Sequence, residues 1–235
     1  MPTRPATTPN NGLRSTSPTA RTREAGGPRR GGRPSRLAAA QLGETILDAA
    51  TELFLSDGYG VTSIESIAKR AGISKRTFYS RYRDKAALFG AVVHRVVERL
   101  RPAADTPLFE GGALEETLVG LARYILRAAL TPDALALHRV ILAEASRFPE
   151  LAAIVNEQGG RSEAVDGIST LLQRALDPPP ANASFAAAQF LQMVVSLPQR
   201  RAHGLGTPMT PTELDVWARD TVTLFLNGVR RGPKI

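Results

Sequence analysis

Five side chains between residues 75 and 81 could do chemistry on a polyanion: Lys75, Arg76, Thr77, Tyr79 and Arg81. They supply one ammonium, two guanidinium groups and two hydroxyls, all donors that suit phosphate oxygens and base edges. Phe78 and Tyr82 are four residues apart, so on a helix they share the opposite face. With Ile73 they can anchor a short helix, about Lys75–Tyr82, onto Ile64, Ile67 and Leu53. A helix of this kind enters a major groove N-terminus first. Lys75 and Arg76 then sit where base edges are read, and Arg or Lys there most often reads guanine O6 and N7. Thr77 and Tyr79 can offer hydroxyls to phosphates. Lys85 adds a charge at the start of the next helix, where the backbone already favours anions. The blander alternative is a small bundle whose basic helix is merely wet. Cap, turn, anchor and donors all falling in register argues against it.

The elements that must hold these groups read as short helices. Leu42, Ile46, Ala49, Ala50, Leu53 and Phe54 recur at helical spacing, which predicts an amphipathic helix over about Ala38–Ser56, stopped at Gly58. Thr62 with Glu65 gives a Thr-x-x-Glu capping box for a second helix, broken at Ala71-Gly72. Ser74 caps the donor-bearing helix. Two short helices joined by a glycine turn form a helix-turn-helix pattern. Asp84 caps a further helix from Lys85 to about Leu100, before Pro102.

Charge follows the same asymmetry. The net formal charge of +8 divides into +7 over residues 1–36, +2 over 37–100 and −1 over 101–235. A one-ended basic distribution suits a polyanion partner, although a solvated basic tail would look the same. Residues 1–36 hold six Pro, five Gly and nine Ser/Thr, which predicts a disordered tail. Its Gly32-Arg33-Pro34 core is similar to minor-groove arms.

The absence of cysteine excludes disulfides, thiolate zinc sites and a cysteine nucleophile. No apolar run is long enough for a membrane span. The start MPTRPATTPNNGLRST has no apolar leader, so a cytoplasmic protein is expected. An enzyme is the rival class. GxSxG, Walker A and HExxH are absent, and His94, His138 and His203 lack the spacing of a metal site or triad. No metal and no cofactor are expected.

From Arg101 onward the sequence predicts further helices: Leu114–Leu130, Asp133–Ser146, Glu150–Leu176 with an interruption at Gly159-Gly160, Ala183–Leu197 and Pro211–Val229. The run Phe185–Leu197 is nearly uncharged, so it should be buried on most sides, in a core or a subunit interface.

The stretch Ile46–Val93 resembles the DNA-binding domain of TetR/AcrR-type transcriptional regulators. The likeness is carried by Phe54 with Gly58, Thr62 and Ile67-Ala68, then by Ala71-Gly72-Ile73-Ser74-Lys75, Thr77-Phe78-Tyr79 and Lys85-Ala86-Ala87-Leu88. The segment His138–Leu151 is similar to the AefR-like C-terminal region of a subset of that family. The resemblance implies an all-α protein: a three-helix helix-turn-helix domain over 37–100, then a larger helical ligand-binding and dimerisation domain over 101–235. Its motif is placed at about 63–82. The expected DNA interface is Ser63, Ser74, Lys75, Arg76, Thr77, Tyr79, Arg81 and Lys85. Position 76 is often small in the family and here is Arg. That side chain can add a base or phosphate contact, or fold back onto Glu65 or Asp84.

The resemblance further implies a homodimer whose last two long helices form a four-helix bundle with the partner. Two recognition helices held about 34–36 Å apart read a palindromic operator in double-stranded DNA. A small-molecule inducer would bind the second domain and tilt the DNA-reading units through the Lys85–Leu100 helix. Candidate ligand residues are Tyr124, Arg127, His138, Glu144, Gln189, Gln192, Met193 and Trp217, each with core packing or a surface position as the alternative. The function this implies is a sequence-specific transcriptional regulator, a repressor released by its inducer. The alternatives are an activator or an architectural DNA-binding protein that uses the basic tail.

Overall fold

The computed structural model describes residues 36–102 and 112–231. The disordered tail expected over residues 1–36 lies outside them, apart from the backbone of Arg36, which opens the first helix. The described residues form ten helices and no strand, the all-α architecture expected. They are α1 Arg36–Asp57, α2 Ile64–Arg70, α3 Lys75–Tyr79, α4 Lys85–Leu100, α5 Leu114–Ala129, α6 Pro132–Glu144, α7 Pro149–Gln158, α8 Arg161–Ala175, α9 Ala183–Ala202 and α10 Pro211–Arg231. No described helix is long and apolar enough to cross a membrane.

Helix starts follow short polar side chains that satisfy free backbone N–H groups. Ser74, Asp84, Thr131 and Asn182 accept from backbone N–H groups at the starts of α3, α4, α6 and α9. The expected Thr62–Glu65 box is corrected by one residue. Ser63 is the cap of α2, and its reciprocal partner is Ser66. Thr62 is buried instead, its hydroxyl donating to the carbonyls of Gly58 and Leu53 at 2.7 and 3.1 Å. The buried hydroxyl finds its acceptors on Leu53 of α1 and on Gly58 just after it, which leaves the capping role to half-buried Ser63.

Two other boundaries differ. Helix α3 ends at Tyr79, not Tyr82, and the chain tightens there as the Arg81 N–H turns back to the Phe78 carbonyl, three residues earlier, at 2.9 Å. Helix α9 continues through Pro198 to Ala202, although proline breaks the helical ladder at a cost of about 3 kcal/mol. Pro198 is buried, so tertiary packing holds the turn that local propensity would end.

Apolar side chains form two cores. The first joins α1–α4 through Ile46, Phe54, Ile67, Phe78, Leu88 and Phe89, and is completed by Leu137 and Val140 of α6 and Leu151 of α7. The second joins α5, α8, α9 and α10 through Leu118, Leu121, Ile168, Leu172, Phe190 and Val222. The division expected at residue 100 follows the chain, whereas α6 and α7 pack with the N-terminal helices.

Candidate nucleic-acid interface

Helices α2 and α3 are joined by a turn at Gly72, whose φ of +66° lies in the left-handed region. An added Cβ would have open space there, so conformation and not crowding demands glycine. The turn closes through the Ile73 N–H on the Ala68 carbonyl at 2.9 Å. Phe78 is fully buried, and its ring centroid lies 5.9 Å from that of half-buried Tyr82. Burial raises the Tyr82 hydroxyl pKa above its ordinary value. The anchor expected from the spacing is thus formed, and it orients the opposite face outward.

That face carries exposed Ser74, Lys75, Arg76 and Tyr79, with Thr77 half-buried. The Tyr79 ring meets Phe78 edge-on at 5.4 Å and leaves its hydroxyl in solvent. The Arg76 guanidinium makes no hydrogen bond or ion pair with another described residue, so neither fold-back considered for it occurs. Lys75 takes Glu65 and Arg83 takes Asp84. The Lys75 ammonium holds the Glu65 carboxyl below its usual range. Both partners are exposed, so water and salt keep this pair weak and exchangeable.

Four further expected contacts have partners within the chain. The Ser63 and Ser74 hydroxyls are helix caps, with Ser74 also 2.9 Å from the Thr77 hydroxyl. The Lys85 ammonium donates inward to the carbonyls of Tyr59 and Thr62, at 2.9 and 3.1 Å, and lies 4.3 Å from the Tyr59 ring centre. Burial depresses its pKa. The Arg81 guanidinium reaches back to the carbonyl of Ala39 in α1. The outward donor set is therefore narrower than expected: Lys75, Arg76, Thr77 and Tyr79.

The ligand candidates do not meet in one place. Gln189 and Gln192 are exposed on one stripe of α9 with Phe185 and Ser196, and Arg127 is exposed on α5. Phe185 is 61% exposed on that stripe, whereas Phe190, Leu191 and Val194 of the same run are buried. Met193 packs against the second core. The indole of Trp217 donates to the Val194 carbonyl at 2.9 Å, and the Tyr124 hydroxyl to that of Leu100. His138 and His203 are brought together, Nδ1 to Nε2 at 2.9 Å with rings stacked, across 65 residues that gave no spacing signal. Among the described residues no three His, Asp or Glu side chains are grouped to hold a metal ion.

The sequence also gave no sign of the role of Glu144. It is half-buried at the end of α6, and its Oε2 accepts from the Gly60 N–H at 2.6 Å.

An all-helical chain with an anchored helix-turn-helix at one end and a separate helical core behind it defines a class, the helix-turn-helix regulators. Comparison with known proteins narrows the class. Residues 46–92 match the family described as bacterial regulatory proteins, tetR family, and residues 116–228 match the AefR-like transcriptional repressor C-terminal domain. The crystal structure of a TetR-family transcriptional regulator from Mesorhizobium loti superposes with a TM-score of 0.66 at 30% identity, covering 80% of this chain and 96% of that one. The flavonoid-responsive regulator FrrA superposes with a TM-score of 0.64 at 27% identity, covering 83% of this chain and 100% of that one. The transcriptional activator FasR of Mycolicibacterium smegmatis is 40% identical over 78 residues, 33% of this chain and 34% of that protein. Across the curated relatives matched first, the chain spans from 31% to 56% of their length. The chain belongs to the TetR family of transcriptional regulators.

Proposed function

We propose that this chain is a sequence-specific DNA-binding regulator that works as a homodimer on a palindromic operator in the cytoplasm. The observation that carries the reading is the split on α3. Phe78 is wholly inside, while Lys75 and Arg76 are outside at the N-terminal end of a capped helix and Tyr79 is outside at its last residue. Lys75 and Arg76 are the base readers, and Thr77 and Tyr79 the phosphate contacts. Ser63, Ser74, Arg81 and Lys85 support the interface, with Lys85 able to reach DNA only after leaving its two carbonyls. No enzymatic activity is assigned. The dimer would use the outward stripes of α9 and α10, where Phe185, Val216 and Leu224 stay exposed.

Repression relieved by a small molecule is the preferred sign, supported by the repressor description of the C-terminal match. FrrA is described as flavonoid-responsive, which supports a small-molecule effector here. Activation is the second reading, favoured by the printed role of FasR. Selecting duplexes from random DNA, then footprinting the winner, tests the core of the proposal. A discrete protected palindrome is expected. Enrichment of no sequence, or uniform coating, would sink it.

A further inference from the structure

The turn between α1 and α2, Gly58-Tyr59-Gly60, belongs to the DNA-reading end, yet its closest tie comes from the far half of the sequence. Glu144 closes α6 and sits 84 positions further along the chain than Gly60, whose N–H donates to it. Gly60 is shaped for this approach. A Cβ there would lie 2.6 Å from a Glu144 carboxylate oxygen and 3.1 Å from the Phe148 ring. Phe148 follows in the bend before α7 and meets Tyr59 edge-on at 5.1 Å. Glu150, in the first turn of α7, accepts from the Tyr59 hydroxyl at 3.4 Å.

Lys85 completes the cluster. Its ammonium lies over the Tyr59 ring and 5.7 Å from the centre of Phe148, and donates to the Tyr59 and Thr62 carbonyls on either side of Gly60. Thr62 immediately precedes Ser63, the cap of α2. One carboxylate therefore bears on the turn that sets where α2 begins and, through Lys85, on the first residue of α4.

We propose that the α6–α7 corner, with Glu144 as its contact group, is a positioning element for DNA reading, and that it controls the helix-turn-helix through the Gly58–Gly60 turn as well as through α4. Glu144 touches no DNA. Its withdrawal, when the C-terminal half rearranges, frees the turn and lets α2 and α3 shift together. This rests on the DNA-binding reading above.

The test uses the full chain, a duplex selected by the wild type, and a scrambled duplex of the same length. Glu144→Gln keeps the shape and removes the charge; Glu144→Ala removes the acceptor. Both are expected to weaken the selected duplex by tenfold or more, with scrambled-duplex affinity and melting temperature unchanged. Gly60→Ala should do the same, and should cost less when combined with Glu144→Ala, because the clashing carboxylate is gone. The Gly60 amide proton, shifted downfield by its anionic acceptor, should move upfield in both Glu144 variants. Wild-type affinity in both Glu144 variants would overturn the inference while leaving the function intact. So would an affinity loss that merely tracks a lowered melting temperature. Failure of the wild type to select any duplex would instead sink the function itself.

Discussion

The two cores of this molecule are built differently. The first is rich in aromatic contacts: Phe54, Tyr59, Phe89 and Phe148 form a chain of ring pairs 5.1–5.6 Å apart. Its helices α2, α3 and α4 each begin on a side-chain cap. The second is mainly aliphatic, with Phe190 and Phe225 as its aromatic pair, and α5 and α8 begin with no side-chain cap. It also leaves Phe185, Val216 and Leu224 in solvent. Directional contacts and caps fix orientation, which a reading surface requires. Aliphatic packing with spare apolar surface fixes position more loosely and leaves a face for another subunit.

The strongest way to break this contrast is to empty each core in turn. Phe78 and Phe190 are both fully buried, and replacing either with alanine should cost about 3–5 kcal/mol of stability. Thermal denaturation, light scattering after size exclusion and DNA anisotropy should then separate them. Phe78→Ala is expected to lose operator binding and stay dimeric. Phe190→Ala is expected to weaken the dimer first. If either variant lost both together, the two cores would be one cooperative unit and the contrast would fail.

The sequence made the first region legible for a physical reason. Caps, the Phe78–Tyr82 anchor and the glycine turn are local, within about four residues of what they organise, so spacing alone exposes them. It erred by one residue at Thr62 because two hydroxyls competed for one cap, and only α1 shows which is buried. The contacts of α6 are hidden in the sequence because they are remote. His138 meets His203 across 65 residues, and Glu144 meets Gly60 across 84. Gln189 and Gln192 stand exposed on one stripe of α9, and an uncharged helix shows no preferred face until its neighbours are known.

Within the reading surface the outward donors can be sorted. Lys75→Ala should relax preference at one base pair by about 1–3 kcal/mol. Tyr79→Ala should weaken all duplexes alike and lower the salt slope by about one. Equal behaviour of the two variants in a salt titration against matched and mismatched duplexes would mean that both are phosphate contacts.

The contact of His138 on α6 with His203 at the end of α9 offers a pH effect. Burial, and then the neighbouring His203, push the His138 pKa below its ordinary 6.5. As pH falls through about 6.5 the unfolded chain takes up a proton that the folded ring refuses, so stability is full above that value and declines below it. One such proton gives at most about 1.4 kcal/mol per pH unit. Denaturant melts from pH 7.5 to 5.5 should show the decline, and His138→Gln should flatten it. A decline unchanged in the variant would assign the titration to another group.

The smallest effect sharpens the contrast at its seam, where α4 begins. The Asp84 carboxylate accepts from the Ala87 N–H at 2.7 Å and pairs with Arg83, and these hold its pKa below the ordinary value. Asp84→Ala should cost about 1 kcal/mol as a lost cap, whereas Asp84→Asn, which caps as well, should cost little. Because the folded pKa is depressed, the charge-dependent part is present above the unfolded value of 3.8 and is lost as pH falls through the folded one. If caps orient the reading end, Asp84→Ala should also lower operator affinity, while removal of the Thr131 cap of α6 at similar cost should not. Equal loss of DNA binding from both would show that the two caps serve stability alone.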